Sequence, residues 1–151
     1  MLGFASNGGT LGSAGLPSQD IAVSGTVYRE AATALLPLSE VVHVGDPGTA
    51  ALSVSKNSDP ANGFSENLIA TLAGATGGLS IARGGSSGEI AAGETNTLAL
   101  LFSTAQSGTV SGTATVDLTS DGGTIDGLGT TALSPQTVPV DITVDNSLTR
   151  R

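Results

Sequence analysis

The 151-residue chain contains no cysteine and no tryptophan, and only one histidine, His43. Without thiols it can form no disulfide, no thiolate zinc site and no cysteine nucleophile. One histidine excludes the usual two-histidine metal sites and leaves little for general-base catalysis. No Gly-x-Ser-x-Gly nucleophile elbow occurs, and the glycine-rich stretch at 84–88 lacks the lysine of a phosphate-binding loop. We therefore expect no enzymatic activity, no catalytic residues and no cofactor.

Positive charge is also scarce, with five Lys and Arg residues against 13 Asp and Glu and a net charge of −8. Five scattered cations cannot form the basic patch that nucleic acid or an anionic membrane surface requires. No apolar run approaches the roughly 18 residues of a membrane span, so we expect no membrane insertion. The first five residues lack the charged region and the apolar region of a signal peptide. The low charged fraction of 12% suits a secreted module. A secreted protein without its signal is either a mature piece or an excised fragment, and we expect a fragment.

The abundant residues are glycine, at 22 positions, and small or branched aliphatic residues. Short stretches of alternating apolar residues recur every 8–15 positions and are separated by glycine-rich turns, a spacing typical of β-sandwiches. The clearest alternations are Thr109–Leu118 and Val138–Val144. Further strands are predicted at Ile21–Tyr28, Glu40–Val44, Thr49–Ser55, Asn67–Leu72, Leu79–Ala82 and Asn96–Ser103. We predict an all-β, immunoglobulin-like antiparallel β-sandwich, a single domain with an extra N-terminal strand segment.

Three stretches between the predicted strands have distinct local chemistry. Ala31–Leu36 is the only plausible helical turn. The proline in Leu35–Leu38 suits an edge strand or a crossing between sheets, because proline cannot donate a ladder hydrogen bond. Arg83–Gly88 is rich in glycine and serine, and it predicts a flexible, exposed loop.

The two ends of the chain carry a repeated sequence. Residues 6–27 align with residues 120–144 when 125–127 are skipped, and 11 of the 22 aligned positions are identical. The aligned pairs include Leu11 with Leu128, Leu16 with Leu133, Val23 with Val140 and Val27 with Val144. The offset between the last pair is 117 residues, which suits a tandem sandwich domain and is too long for a solenoid unit.

A sandwich has one position for a given closing strand, so two similar strands compete for it. If the C-terminal copy fills the position, the N-terminal copy keeps an unpaired edge, which favours β-strand addition to another chain. Residues 1–19 are then the end of a preceding repeat or a strand-exchange segment, 20–144 the sandwich and 145–151 a tail. The alternative is that both segments fit within one monomeric sandwich. The interface candidates are Leu11, Leu16, Ile21, Val23, Val27 and Tyr28.

Two loops contain oxygen ligands that a calcium ion could use. Asn57, Asp59, Asn62 and Glu66 lie in one stretch, but their spacing matches no EF-hand and favours an ordinary turn. Asp121–Asp126 has the composition of glycine- and aspartate-rich calcium repeats, although a single copy is better explained as a hairpin turn. We predict no metal site. His43 is expected to be a hydrogen-bonded or exposed strand residue, and Tyr28 to mark an interdomain contact or to pack on its own domain.

The order of several strands and turns resembles the immunoglobulin-like repeats of bacterial choice-of-anchor D proteins and, more distantly, major-sperm-protein and Hydin-type domains. The similar stretches, which extend over roughly residues 20–144, are Val23–Ala31, Leu52–Asn57, Phe64–Leu68, Gly93–Phe102, Ala105–Thr113 and Val116–Ser120. The resemblance implies a large, secreted protein held at the bacterial cell surface. It carries no catalytic motif. The tail from Asp145 departs from the Val-Tyr-Arg pattern at 27–29.

Two functions fit these observations. The first is a structural module of a surface protein or fibre, whose partners are neighbouring copies or adjacent repeats. The second is an adhesin-type module that recognises glycan or protein through its loops. An exposed aromatic cluster would favour the second function, and three Phe and one Tyr offer little material for such a cluster.

Overall fold

A computed structural model describes residues 2–57 and 63–146. Within these residues almost all regular structure is β, and one 3₁₀ turn spans Gly9–Leu11. The strands are β1 (Ala5–Asn7), β2 (Ser13–Gly15), β3 (Thr33–Leu35), β4 (Leu38–His43), β5 (Thr49–Lys56), β6 (Asn67–Ala75), β7 (Ser80–Ile81), β8 (Ser86–Ile90), β9 (Thr95–Leu101), β10 (Gly108–Asp121) and β11 (Thr130–Asp145).

Strands β3 to β11 form the two sheets of a sandwich, which confirms the predicted all-β, immunoglobulin-like class. One sheet has five strands in the order β4-β11-β10-β6-β8, and the other has four in the order β3-β5-β9-β7. Neighbours are antiparallel with one exception, since β4 runs parallel to β11. The chain changes sheets at Leu36 and Pro37, between β3 and β4, as the proline predicted. This crossing brings β4 alongside the last strand instead of its sequence neighbour, so the sandwich is not purely antiparallel.

The core lies between the two sheets and consists almost entirely of aliphatic side chains. Alternate residues of β5, β6, β9, β10 and β11 point inward because side chains of a strand alternate between its faces. In β11 the inward set is Val138, Val140, Ile142 and Val144, each at most 3% exposed. Burying a side chain of this size stabilises the fold by about 1.5–3 kcal/mol, so β11 is a principal contributor to the core.

Two glycines allow the β6–β7 turn to lie against β10. A Cβ atom at Gly77 would overlap the backbone carbonyl of Ser111, and one at Gly112 would overlap that of Thr76. Gly77 also has a φ of +68°, in the left-handed region that side chains disfavour. No larger residue fits either position without moving the backbone.

Two local predictions are wrong, and a third holds only in part. The stretch Ile21–Tyr28 forms no strand and is mostly exposed, because the position its pattern suits is occupied by β11. Ala31–Leu36 contains β3, which pairs with β5, and no helical turn. The stretch Arg83–Gly88 is mostly exposed, as predicted, but its last three residues begin β8, which pairs with β6 at the edge of the five-stranded sheet. In the last two cases pairing with another strand of the sandwich decided the local structure, as tertiary context often does.

Candidate functional site: an uncovered hairpin at the N-terminus

The N-terminal segment forms a small hairpin separate from the sheets of the sandwich. Strands β1 and β2 pair antiparallel, with Ala5 opposite Gly15 and Asn7 opposite Ser13. An isolated bridge between Leu2 and Gln19 extends the pairing. Every residue of β1 and β2 is exposed. A two-stranded hairpin is at best marginally stable by itself in water, so this segment lacks the cover that a stable sheet needs.

The residues of the N-terminal hairpin pair in the same register as the aligned residues of the β10–β11 hairpin. Ser6 pairs with Ala14 as Ser120 pairs with Thr131, the positions to which the sequence alignment assigns them. The Leu2–Gln19 bridge likewise corresponds to the pairing of Val116 with Gln136. The sequence repeat is therefore also a repeat of backbone pairing, and it extends four residues further toward the N-terminus than the aligned identities.

The two turns agree in their hydrogen bonds as well. The Gly8 amide donates to the Gly12 carbonyl at 3.0 Å, and the Gly122 amide donates to the Gly129 carbonyl at 2.8 Å. The Gly9 amide donates to Asn7 Oδ1 at 3.1 Å, as the Gly123 amide donates to Asp121 Oδ1 at 2.9 Å. Gly12 and Gly129 both have a φ near +86°, at +85° and +87°. The three extra residues 125–127 lengthen the second turn, but these hydrogen bonds and the glycine conformation remain the same.

The two copies differ in what covers their apolar side chains. Leu2, Phe4, Ile21, Val23 and Val27 are between 45% and 91% exposed, whereas their counterparts are at most 3% exposed. These counterparts are Val116, Leu118, Val138, Val140 and Val144. We name the first set the uncovered face. Its side chains correspond in sequence to buried core residues, but they are exposed in the described structure.

The remaining predicted interface residues are not all of this kind. Leu11 is exposed, but so is its counterpart Leu128, so Leu11 belongs to a turn tip in both copies. Leu16 is exposed, whereas its counterpart Leu133 packs on the edge of the core. Tyr28 is half-buried, and its ring meets that of Phe64 edge to face with centroids 5.6 Å apart. Tyr28 therefore packs on its own sandwich.

The sandwich begins immediately after Tyr28. The Arg29 amide donates to the Phe64 carbonyl at 2.9 Å, and the Glu66 amide donates to the Arg29 carbonyl at 3.0 Å. Two residues later the Ala31 amide donates to the buried Ser120 hydroxyl at 2.7 Å. These bonds fix the point at which the uncovered segment leaves the domain.

A second candidate is a buried charged cluster that the sequence analysis did not identify. Lys56 is only 2% exposed, and its ammonium donates to the Ser65 carbonyl at 3.3 Å. Burial lowers the pKa of Lys56 below its ordinary value of 10.5, and the negative charge of Glu66 partly opposes this shift. The alternating pattern of β5 places Lys56 on the inward face with Val54 and Leu52. This position in the alternating pattern was the only feature of the sequence that could have predicted the burial of Lys56.

Two carboxylates of this cluster converge over Gly122. A Cβ atom there would lie 2.9 Å from the Asp126 carboxyl carbon and 3.1 Å from that of Glu66. Glu66 Oε2, Asp126 Oδ2 and the Ser65 hydroxyl are buried without hydrogen-bond partners. Calcium usually takes six to eight oxygen ligands. Among the described residues there is no group of three or more His, Cys, Asp or Glu side chains that could hold a metal.

The structure describes only some of the calcium candidates of the sequence. Glu66 joins the buried cluster, while Asp59 and Asn62 lie outside the described residues. Asp121–Asp126 forms the turn between β10 and β11, as predicted. His43 is exposed at the end of β4, with Nδ1 3.6 Å from Asp46 Oδ2. A shallow depression of about 290 Å³ beside Ser107, Val110 and Val144 is lined without charged side chains.

Comparison with known proteins gives structural neighbours and no sequence family. No family model matches the chain, and no curated protein matches it. The chain is similar to a PapD-like domain of human CEP192 at 9% identity, over 87% of this chain and 99% of that one, with a TM-score of 0.46.

Two further solved structures show weaker similarity. AggA, the major subunit of aggregative adherence fimbriae type I from Escherichia coli, is 10% identical over 80% of this chain and 99% of its own, with a TM-score of 0.36. Domains 4 and 5 of the S-layer protein SbsC are 14% identical over 88% of this chain and 50% of theirs, with a TM-score of 0.31. At these identities the similarity concerns the fold alone. In the part of the chain that the structure describes, no helix is long and apolar enough to cross a membrane.

Proposed function

We propose that this chain is a non-catalytic structural module of a secreted bacterial surface protein or fibre, and that it associates with copies of itself by β-strand addition. The observation that carries the proposal is the uncovered face. It is an apolar strand pattern, exposed in this chain, whose counterpart in the same chain is fully buried. Exposed strand edges with apolar faces are the usual templates for pairing between chains.

The surface composition supports a structural role outside the cell. Charged residues are only 12% of the sequence, against about 25% in ordinary soluble domains. The absence of cysteine means that no disulfide stabilises the chain, so its stability comes from the aliphatic core and the sheet pairings. The resemblance to choice-of-anchor D repeats supports an immunoglobulin-like unit of a large cell-surface protein.

Light scattering over a range of concentrations tests the self-association. The full chain should show a mass that rises with concentration. The double variant Val23→Ser/Val27→Ser should remain monomeric, because it removes the two most exposed side chains of the uncovered face. The matched control Val41→Ser changes an exposed valine on β4, 64% exposed, and should behave as the parent does.

Two results would contradict the proposal. One is a full chain that stays monomeric at all concentrations. The other is association that persists in Val23→Ser/Val27→Ser and in a chain without residues 1–19. The non-catalytic assignment has its own test, which is an assay with ester, phosphate, peptide and glycoside substrates. Hydrolysis that a single carboxylate substitution abolishes would overturn it.

A further inference from the structure

The N-terminal hairpin repeats a structural element whose surroundings are known within the same chain. The matching element, residues 116–144, lies between two other strands. On one side β10 pairs with β6, and on the other side β11 pairs with β4. The element therefore needs a β6-type strand, a β4-type strand and an opposing sheet to be covered. The described structure gives residues 2–27 none of these pairings.

We infer that residues 2–27 are built to close a second sandwich of this kind, in the position that β10 and β11 occupy here. The inference goes beyond the proposed function, because it names a partner whose closing position is open and the register in which residues 2–27 would dock. Val116 pairs with Leu72, and Val140 pairs with Leu38. By the same alignment, Leu2 would lie beside Leu72 of the second copy and Val23 beside its Leu38.

The buried serine of β10 supports this register. Ser120 is fully buried, and its hydroxyl accepts the hydrogen bond of the Ala31 amide. Ser6 repeats it at the aligned position, although Ser6 is exposed in this chain. A serine suits that position in a covered sandwich because the first residues of the domain present an amide that needs an acceptor.

One difference between the copies explains why the C-terminal copy occupies the chain's own sandwich. Gly25 stands where β11 has Ile142, which is fully buried. A docked N-terminal strand would leave a cavity there, and cavities of that size are strongly destabilising. A β11-type strand therefore outcompetes residues 20–27 wherever both are available, so the partner is a sandwich whose closing position is open.

The junction determines how two such sandwiches would be joined. Val27 aligns with Val144, near the end of β11. The next two residues, Tyr28 and Arg29, already contact Phe64 or pair with Ser65 of the following sandwich. The closing strand of one unit thus continues into the next without a linker. The repeat distance is the 117-residue offset, and the backbone of the following sandwich is hydrogen-bonded from Arg29 onward.

The test is a longer chain in which residues 28–115 are duplicated directly ahead of Leu2. In it, residues 2–27 can complete the first sandwich while the second keeps its own β10 and β11. Hydrogen exchange should show amides within 21–27 slowed about 100-fold or more relative to the 151-residue chain, which corresponds to a local stability of about 2.8 kcal/mol. Equal exchange rates in the two chains would overturn the inference.

A substitution at Gly25 tests the register and guards against a first unit that is too unstable to fold. Gly25→Ile should raise the melting temperature of the first unit by about 5 °C or more, because it fills the cavity where Ile142 lies in the second. In the 151-residue chain the same change should have no effect, since nothing lies within 4 Å of a Cβ atom at Gly25.

Ser24→Ile is the matched control, because Ser24 aligns with the outward-facing Asp141 and should stabilise neither chain. The register would be overturned if Ser24→Ile stabilised the first unit of the duplicated chain and Gly25→Ile did not. It would also be overturned if neither substitution stabilised that unit. The duplicated chain also separates this inference from the proposed function. If the 151-residue chain is monomeric but the duplicated chain protects residues 21–27, self-association fails and the inference holds. If the 151-residue chain associates but the duplicated chain leaves them unprotected, strand addition occurs elsewhere and the inference fails.

Discussion

Replacing Ser120 by alanine should destabilise the sandwich more than any other exchange of serine for alanine among its described strands. Ser120 lies in β10, is fully buried, and accepts a 2.7 Å hydrogen bond from the Ala31 amide. Ala31 is itself in the core. The two residues are 89 positions apart, so this bond holds the first residues of the sandwich against its longest hairpin.

The magnitude follows from the group left behind. Alanine removes the acceptor but not the Ala31 amide, which stays buried without a partner, and that costs about 1–3 kcal/mol. For a chain of this size each kcal/mol lowers the melting temperature by roughly 3 °C. We therefore expect Ser120→Ala to melt about 3–9 °C below the parent.

Thermal unfolding followed by circular dichroism measures the effect, and Ser6→Ala is the matched control. Ser6 occupies the same position in the repeated hairpin but is exposed, so its replacement should shift the midpoint by no more than about 1 °C. Equal midpoints for Ser120→Ala and the parent would refute the reasoning. They would mean that water satisfies the Ala31 amide as well as the Ser120 hydroxyl does.

Three further outcomes are expected. The free energy of unfolding in urea should rise as the pH increases toward 10.5. Burial lowers the folded-state pKa of Lys56, so over this range the unfolded chain holds a proton that the folded chain has lost. The variant Lys56→Met should lack this rise, because Lys56 is the only lysine of the chain. Gly77→Ala should cost about 2–4 kcal/mol through its positive φ and its overlap with the Ser111 carbonyl, whereas Gly3→Ala, in open space, should be near neutral in the same titration. Chelation with EDTA should leave the melting temperature unchanged, and a clear fall would reveal a cation between Glu66 and Asp126.

The charged cluster shows where reasoning from sequence stopped short. Lys56 ends an alternating strand, and a lysine at that place is normally a solvated end residue. Its ammonium is close to Ser65 and Glu66, which follow β5 across a loop and lie beside it only in the folded chain. The carboxylates of Glu66 and Asp126 are 60 positions apart in sequence, and only the turn at Gly122 brings them together.

The sequence by itself determined the two longest strands and the repeat. Alternating apolar residues at Thr109–Leu118 and Val138–Val144 specify half-buried strands wherever they pack, because successive side chains of a strand point to opposite faces. The glycine-rich turn at 121–129 and its copy at 7–12 were also recognisable from the sequence, since the backbone conformations of such turns depend on local residues.

Only the tertiary structure decided which copy of the repeat is covered. Ile21–Tyr28 and the end of β11 have nearly the same pattern, and either could be a strand. One position is available, and Ile142 fills the core where Gly25 cannot. The parallel pairing of β4 with β11 was likewise invisible in the sequence, because it depends on where the chain crosses between sheets. Whether a side chain is buried depends on the residues that pack against it, and a local sequence pattern does not identify those residues.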